Sequence, residues 1–259
     1  IIWNGAALGA EGTIKLYHPD YNKAASALRD CQKEILRLEK LFSLYRADSQ
    51  VVALNTAGYI ENPDIDFVTL LSMANAFSSK TDGLFDVSIQ PLWRFYADYF
   101  AGGSGRNEPP SQERIAQALK PVGYSNIDVA ARKVQFTKPG MAVTFNGIAQ
   151  GFITDRVKAL LQDAGFENVL ISLGEIYALG PKGDGSPWRI GLEGDLDDAN
   201  AHRTIPLVDQ ALATSGGYAS PFSNTSTANH LLNPLTGAWS RVEGSVSVLS
   251  ETATHADMV

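Results

Sequence analysis

Leu28, Cys31, Ile35, Leu38, Phe42 and Tyr45 recur at steps of three and four, the strongest helical period in this sequence. A helix with a single apolar face needs a second layer to cover it, so everything else in the chain has to supply that layer. Asp48-Ser49 offers an N-cap for a short second helix running towards Asn55, with Gly58 at its end. Residues 65–79 predict a further helix, carrying Phe67, Leu70, Leu71, Ala74 and Phe77. Residues 111–119 predict another, and Gly147 and Gly151 bracket the start of one that runs through Val157, Leu160 and Leu161. Between and after these come strands. Residues 5–17 read as a strand, Ile1-Ile2-Trp3-Asn4 as the first strand of the domain, residues 125–145 as a hairpin ending in Ala142-Val143-Thr144-Phe145, and residues 168–172 as a buried strand. Residues 188–192, 205–208, 211–214 and 245–249 are short strands set off by turn signals, and residues 102–111 are a loop. Helices and strands do not alternate regularly as β-α-β units would. The expected class is therefore α+β, with a largely antiparallel sheet core and flanking helices.

Composition narrows the function. With 44% hydrophobic and 19% charged residues, the chain has the balance of a globular protein, and no apolar run reaches the length of a membrane span. The net charge is −7 and the basic residues are scattered, which argues against a nucleic-acid partner, because phosphate backbones need a concentrated cationic surface. The same acidity means that a bound diphosphate must be neutralised locally, by a metal, backbone N–H groups or a few placed donors. Cys31 is the only cysteine, so there is no internal disulfide, and its place on the apolar stripe marks it as a buried thiol rather than a nucleophile. No basic segment followed by an apolar stretch and a cleavage site opens the chain.

Several common chemistries are missing from the motifs. There is no Gly-x-x-x-x-Gly-Lys-Ser/Thr loop, no Gly-x-Gly-x-x-Gly after a strand, and no His-Glu-x-x-His. Gly216-Gly217 follows Ser215, whereas a nucleophile elbow needs a glycine two residues ahead of the serine. What remains is a set of polar residues and glycines in apolar surroundings. Asn146-Gly147-Ile148-Ala149-Gln150-Gly151 lies where a strand turns into a helix, a place where backbone groups can approach an ion, and equally a plain connection. Ala213-Thr214-Ser215-Gly216-Gly217-Tyr218 leaves a strand with two hydroxyls and two glycines; alone, it reads more readily as a turn. His230, ahead of the turn Asn233-Pro234-Leu235-Thr236-Gly237, could be a general base or a phosphate donor, although a lone histidine is more often structural. Asp257 matters only if its neighbours supply further oxygens for a hard cation.

Order and spacing together resemble the ApbE family of FAD:protein FMN transferases over almost the whole chain. Ala7-Leu8-Gly9-Ala10 sits where the family has Met-Gly-Thr. Leu41-Phe42-Ser43-Leu44-Tyr45-Arg46-Ala47-Asp48-Ser49 with Leu54-Asn55 resembles its helix end and flavin-facing turn. Thr81-Asp82-Gly83-Leu84-Phe85-Asp86-Val87-Ser88 with Pro91-Leu92 is similar to its most recognisable block. Asn146 to Gly151, Ala213-Thr214-Ser215-Gly216, His230 to Gly237 and Ala256-Asp257 complete the series in order. Within the family, the opening and the Leu-Phe-Ser-Leu-Tyr block are most similar to the NosX branch, associated with flavinylation of the membrane protein NosR in nitrous-oxide respiration.

The resemblance implies one ApbE-like domain over residues 1–259, a periplasmic location, and Mg²⁺-dependent transfer of FMN from FAD to a Thr or Ser hydroxyl of a NosR-like flavoprotein, with AMP leaving. Leu8, Tyr45, Asn55, Leu84, Phe85, Asp86 and Ser88 would line the FAD site, with Thr144 and Gln150 also in contact. The carbonyl of Gly147 and the side chain of Asp257 would hold Mg²⁺. His230 would touch the pyrophosphate and help to deprotonate the acceptor, and Ser215 and Gly216 would add polar contacts. The chain also departs from the pattern. Thr144 stands for a common Asp, Gln150 for a common Lys, and Leu173-Gly174-Glu175 is one glycine short of Leu-Gly-Gly-acidic. The family pattern continues beyond Val259 and supplies a Thr metal ligand four residues after the Asp, so its C-terminal part is expected to be missing. Two alternatives follow: an FAD-binding protein without transfer activity, and a pyrophosphatase that yields FMN and AMP.

Overall fold

The helical stripe becomes α1 (Tyr21–Phe42), opened by Asp20, whose side chain accepts from the Lys23 N–H. Its buried face runs from Ala24 through Cys31, Ile35 and Leu38 to Phe42. The helix stops at Phe42, and Tyr45 lies beyond it, exposed. In this computed structural model, which describes residues 1–101, 109–192, 203–217, 221–222, 228–242 and 244–259, the layer facing α1 is mixed helix and sheet.

The main sheet has six strands, all antiparallel to their neighbours: β1 (Ile2–Ala7), β2 (Ala10–Leu16), β6 (Val169–Ser172), β7 (Ile176–Leu179), β10 (Gln210–Gly216) and β11 (Ser245–Ser250), adjacent in that order. A second sheet orders β3 (Tyr59–Glu61), β5 (Lys133–Phe136) and β4 (Ile127–Ala130), and β8 (Trp188–Leu192) pairs with β9 (Arg203–Leu207) as a ribbon. α6 (Ala149–Asp163) packs on α1, β6 and β7 and carries α7 (Ala253–Met258) on its N-terminal half. The short α2 (Gln50–Ala57) keeps its expected ends, with the Ser49 hydroxyl accepting from Val52 N–H and Gly58 closing it in the left-handed region. α3 (Ile65–Lys80) and α5 (Gln112–Leu119) also lie where the sequence puts them.

Two expectations need correcting, and two helices went unforeseen. Residues 5–17 are not one strand: Leu8 and Gly9 both take positive φ (50° and 87°) and turn the chain into the β1–β2 hairpin. A leucine there is strained, and the Leu8 N–H donating to Glu39 Oε1 at 2.9 Å helps to hold it. The hairpin read into residues 125–145 ends at Phe136. Val143 pairs with no strand, because the Asn55 carboxamide satisfies it on both counts: Nδ2 donates to Val143 O at 2.8 Å, and Val143 N–H donates to Oδ1 at 2.7 Å. A helix that the periodicity did not predict, α4 (Gln90–Ala101), buries Leu92, Tyr96 and Phe100 against Ile115 of α5, Phe222 and Trp239. Residues 102–108 of the predicted loop lie outside the described residues, as does Tyr218. Finally, the segment around Asp257 is the helix α7, opened by the Thr252 hydroxyl accepting from His255 N–H.

Candidate active site

A cleft of about 820 Å³ opens between the end of the main sheet, the N-terminus of α6 and the hairpin of residues 229–240. Its volume falls in the roughly 300–1,000 Å³ range of small-molecule sites. Each wall is fixed by a local device. After the turn at Asp82 and Gly83, residues 84–87 pass along one side and enter a 3-10 turn at Val87–Ile89. Asp86 holds that turn: its carboxylate accepts from the Ser88 N–H (2.8 Å), the Ser88 hydroxyl (2.7 Å) and the Tyr124 N–H (2.9 Å). Burial pushes the Asp86 carboxyl above its ordinary value, and those same hydrogen bonds oppose the rise.

The second wall is the start of α6. Thr144 is buried and hydrogen-bonded through its backbone N–H to Val87 O at 2.8 Å, which ties the two walls together. Gly147 follows, and Ile148 opens the helix without a side-chain cap. Gly151 has to be glycine, since a Cβ there would stand 2.4 Å from the Ala253 carbonyl oxygen. That close approach seats α7 on α6 and lets the Gly151 N–H donate to Asp257 Oδ2 at 2.9 Å. Asp155, one turn on, accepts from the Ala253 and Thr254 N–H groups and from the Thr254 hydroxyl at 2.6–3.0 Å. Two positions of α6 therefore aim one carboxylate of α7 into the cleft.

The third wall carries His230. A Cβ on Gly217 would meet Asn229 Nδ2 at 2.7 Å, so the end of β10 lies directly against the hairpin. Asn229 donates to Ser240 O and accepts from Leu231 N–H, and Asn233 Oδ1 accepts from the N–H groups of Leu235 and Thr236. Tyr96 of α4 reaches the hairpin from behind, donating to Gly237 O at 2.6 Å. His230 sits half-buried on this braced surface, facing the cavity.

The structure brings together Tyr45, Leu84, Phe85, Asp86, Thr144, Gly147, Gln150, Ser215, Gly216, His230 and Asp257 around the cleft. Three residues expected there stand elsewhere. Leu8 packs against the main core from its hairpin turn. Asn55 spends its carboxamide on Val143 and borders a separate groove. Ser88 is fully buried beneath the wall, where its hydroxyl serves Asp86 and accepts from Gly123 N–H at 2.7 Å. Asn55 and Ser88 brace the wall from behind instead of facing the cavity.

One further residue of the wall, Glu175, stood in the sequence only as the acidic end of Leu173-Gly174-Glu175, with no role in the site. Glu175 lies in the three-residue connection between β6 and β7, is 9% exposed, and borders the cleft beside Asp257. Burial pushes its carboxyl up to about 7, against a backbone hydrogen bond from Thr214. Asp257 is likewise raised well above the usual carboxylate range, first by burial and then by the nearby Glu175 charge. An acidic residue set between two apolar strand runs, Val169–Ser172 and Ile176–Leu179, was the available signal. Among the described residues the wall carries three carboxylates, Asp86, Glu175 and Asp257, and no lysine or arginine.

A family model described as the ApbE family matches residues 8–259. A curated FAD:protein FMN transferase from Klebsiella pneumoniae (strain 342) is 29% identical over 240 residues, covering 91% of this chain and 72% of that protein. Among solved structures, the apo form of the flavinyl transferase ApbE from Pseudomonas stutzeri superposes with a TM-score of 0.82 at 26% identity, over 100% of this chain and 81% of that one. The ApbE protein from Thermotoga maritima gives 0.85 at 28% identity, over 100% and 84%. The mixed architecture with an antiparallel sheet is common to them.

Proposed function

This chain belongs to the ApbE family, and from that premise we propose that it is an FAD:protein FMN transferase, moving the FMN half of FAD onto a Thr or Ser hydroxyl of a target flavoprotein. The observation that carries the proposal is the cleft itself: a histidine, two hydroxyl-bearing segments and a buried carboxylate pair face one cavity of dinucleotide scale. Tyr45, Leu84 and Phe85 offer the apolar surface that a flavin ring needs. Thr144, Gln150 and Ser215 offer hydrogen-bonding groups for the rest of the dinucleotide.

The reaction asks three things of these residues. The acceptor oxygen must lie in line with the FMN phosphorus, which the fixed walls accomplish by position. Its proton must go to a base, and a ring nitrogen of His230 can hold it, a contribution of about 10²–10⁴-fold. The phosphorus–oxygen bond to AMP then breaks, and AMP leaves with the electron pair. Charge is the third demand. A diphosphate would enter a cavity that already holds buried carboxylates and offers no lysine or arginine among its described residues. The donor set therefore suits a hard divalent cation: the Asp257 carboxylate and the carbonyl of Gly147 would hold it through oxygen, and no cationic side chain among the described lining residues offsets the carboxylates. Such an ion, Mg²⁺ on this reading, would offset charge on the diphosphate and on the departing oxygen of AMP.

The finer reading is a periplasmic enzyme of the NosX branch acting on a NosR-like acceptor; the opening block and the Leu41 to Tyr45 segment support it. The test is to incubate protein, FAD, Mg²⁺ and acceptor. The acceptor should gain the mass of FMN less water, and excess EDTA should abolish the gain. Transfer undiminished by EDTA contradicts the metal dependence. A second reading, FAD binding without transfer, is favoured by the neutral Gln150, whose carboxamide lies against Gly174 so closely that a Cβ there would stand 2.4 Å away. Bound FAD recovered intact beside unmodified acceptor would select it. AMP released with no acceptor present would select hydrolysis instead.

A further inference from the structure

Resting on the reading above, we propose that Tyr96 is a positioning residue for the reaction: through the Gly237 carbonyl it fixes the tilt of the hairpin that keeps the His230 ring within reach of the acceptor hydroxyl. Tyr96 stands on α4, behind the hairpin, and does not line the cleft. The hairpin is held at its two ends by different means. At the open end, Asn229 lies against Gly217 and donates to Ser240 O at 2.9 Å. Ser240 N–H then donates to Leu231 O at 2.7 Å, Leu232 bridges to Trp239, and Asn233 N–H donates to Ala238 O at 2.7 Å. His230 is next to Leu231, so its backbone follows that ladder. At the turn, the anchors are α4 and α5. Tyr96 donates to Gly237 O at 2.6 Å, and Gly237 presses on α5 so closely that a Cβ would stand 2.3 Å from Ile115 Cγ2. A hairpin held only at its open end can pivot there; the turn contact removes that freedom.

The bond cannot be given up cheaply. Tyr96 is fully buried, and Gly237 is buried with it. Lifting the turn would strand a phenol donor and a backbone acceptor in apolar surroundings, and leaving such groups unpaired costs more than the bond itself contributes. Burial pushes the Tyr96 phenol up to about 12, so it remains a donor over the pH range of any practical assay. Its ring adds direction, meeting Trp239 edge-on at 5.5 Å and Phe222 at 5.8 Å. The apolar cluster formed by α4, α5 and the hairpin is separate from the main core that carries α6 and α7. Packing of the main core therefore does not by itself set where His230 sits.

A base helps only when its nitrogen lies within hydrogen-bond reach of the hydroxyl it serves, and a misplacement of about 1 Å can cost about 10²-fold in rate. Loss of the Tyr96 hydroxyl should be felt in turnover and not in FAD binding.

The experiment measures single-turnover AMP release from FAD, with Mg²⁺, the NosR-like acceptor and protein in excess over FAD so that slow variants are still read. It compares the wild type, Tyr96→Phe, His230→Ala and the double variant, with FAD affinity followed separately by flavin fluorescence. Tyr96→Phe keeps the ring and removes the hydroxyl alone. It should lower the rate by about tenfold or more while FAD affinity stays within about twofold. In the His230→Ala background the same substitution should change the rate by less than about twofold, because the group it positions is gone. Equal losses in both backgrounds would give Tyr96 a general role in the fold and overturn the proposal, as would an unchanged rate in Tyr96→Phe. If Tyr96→Phe does not fold, Gly237→Ala decides, since its methyl pushes the turn off α5: a loss seen only with His230 present supports the proposal, and any other result overturns it. Should the wild type release no AMP and leave the acceptor unmodified, the functional reading falls. If the wild type is active and His230→Ala is slow, yet Tyr96→Phe is unimpaired, that reading stands and this inference alone fails.

Discussion

Asp86 shows how a residue can border a binding cleft and still work chiefly for the fold. Its two oxygens collect three hydrogen bonds from Ser88 and Tyr124, and asparagine cannot reproduce them, because one end of the carboxamide would present a donor to a donor. Asp86→Asn should cost about 1–3 kcal/mol in denaturant unfolding; an unchanged midpoint would show that these bonds do not hold the wall. Cys31 gives a second prediction at this scale. Burial pushes its thiol from the usual 9.0 up to about 12. The native thiol therefore stays protonated where the unfolded one ionises, so its effect on stability is unfavourable and grows as pH rises above 9.0. At pH 8 it should resist a thiol reagent until denaturant is added, and rapid labelling of the folded protein would contradict its burial. The place of Cys31 was legible in the sequence, because the stripe around it is unambiguous. The roles of Asn55 and Ser88 were not: Ser88 follows directly on the segment that borders the cleft and Asn55 lies in a helix beside a separate groove, and local pattern does not tell which way a polar side chain turns.

At the scale of elements, the contact between α6 and α7 determines where Asp257 points. Gly151→Ala would push a methyl into the Ala253 carbonyl and separate the two helices. Asp155→Ala would strip three hydrogen bonds from the first turn of α7, a loss of about 1–2 kcal/mol by analogy with N-caps. Both variants should lower the thermal midpoint and weaken Mn²⁺ binding with FAD present; full cation affinity in Gly151→Ala would mean that this packing does not aim the carboxylate. Elements with a single clean stripe or paired caps, such as α1, α2 and α3, could be read directly. α4 could not, because Trp93, Phe95 and Tyr99 surround its buried positions Leu92, Tyr96 and Phe100 and blur the period. α7 is only six residues long, too short for any period to register. Residues 142–145 looked like a strand because they are apolar, but Val143 is paired by the Asn55 side chain and the Thr144 N–H by the isolated Val87 carbonyl.

For the whole molecule, the cleft draws its walls from segments spread along the chain, from Tyr45 to Asp257. No local motif could have announced such a site; the ordered series of weak blocks did, since sequence order constrains which turns can meet at one end of an antiparallel sheet. The acidic lining makes the cation the hinge of the account, and the most direct measurement is intact mass of a NosR-like acceptor after incubation with this protein and FAD, in Mg²⁺ or in excess EDTA. The account predicts an added FMN less water on the acceptor, matched one for one by AMP, in Mg²⁺ only. An unmodified acceptor in Mg²⁺, with the bound FAD recovered whole, would contradict it.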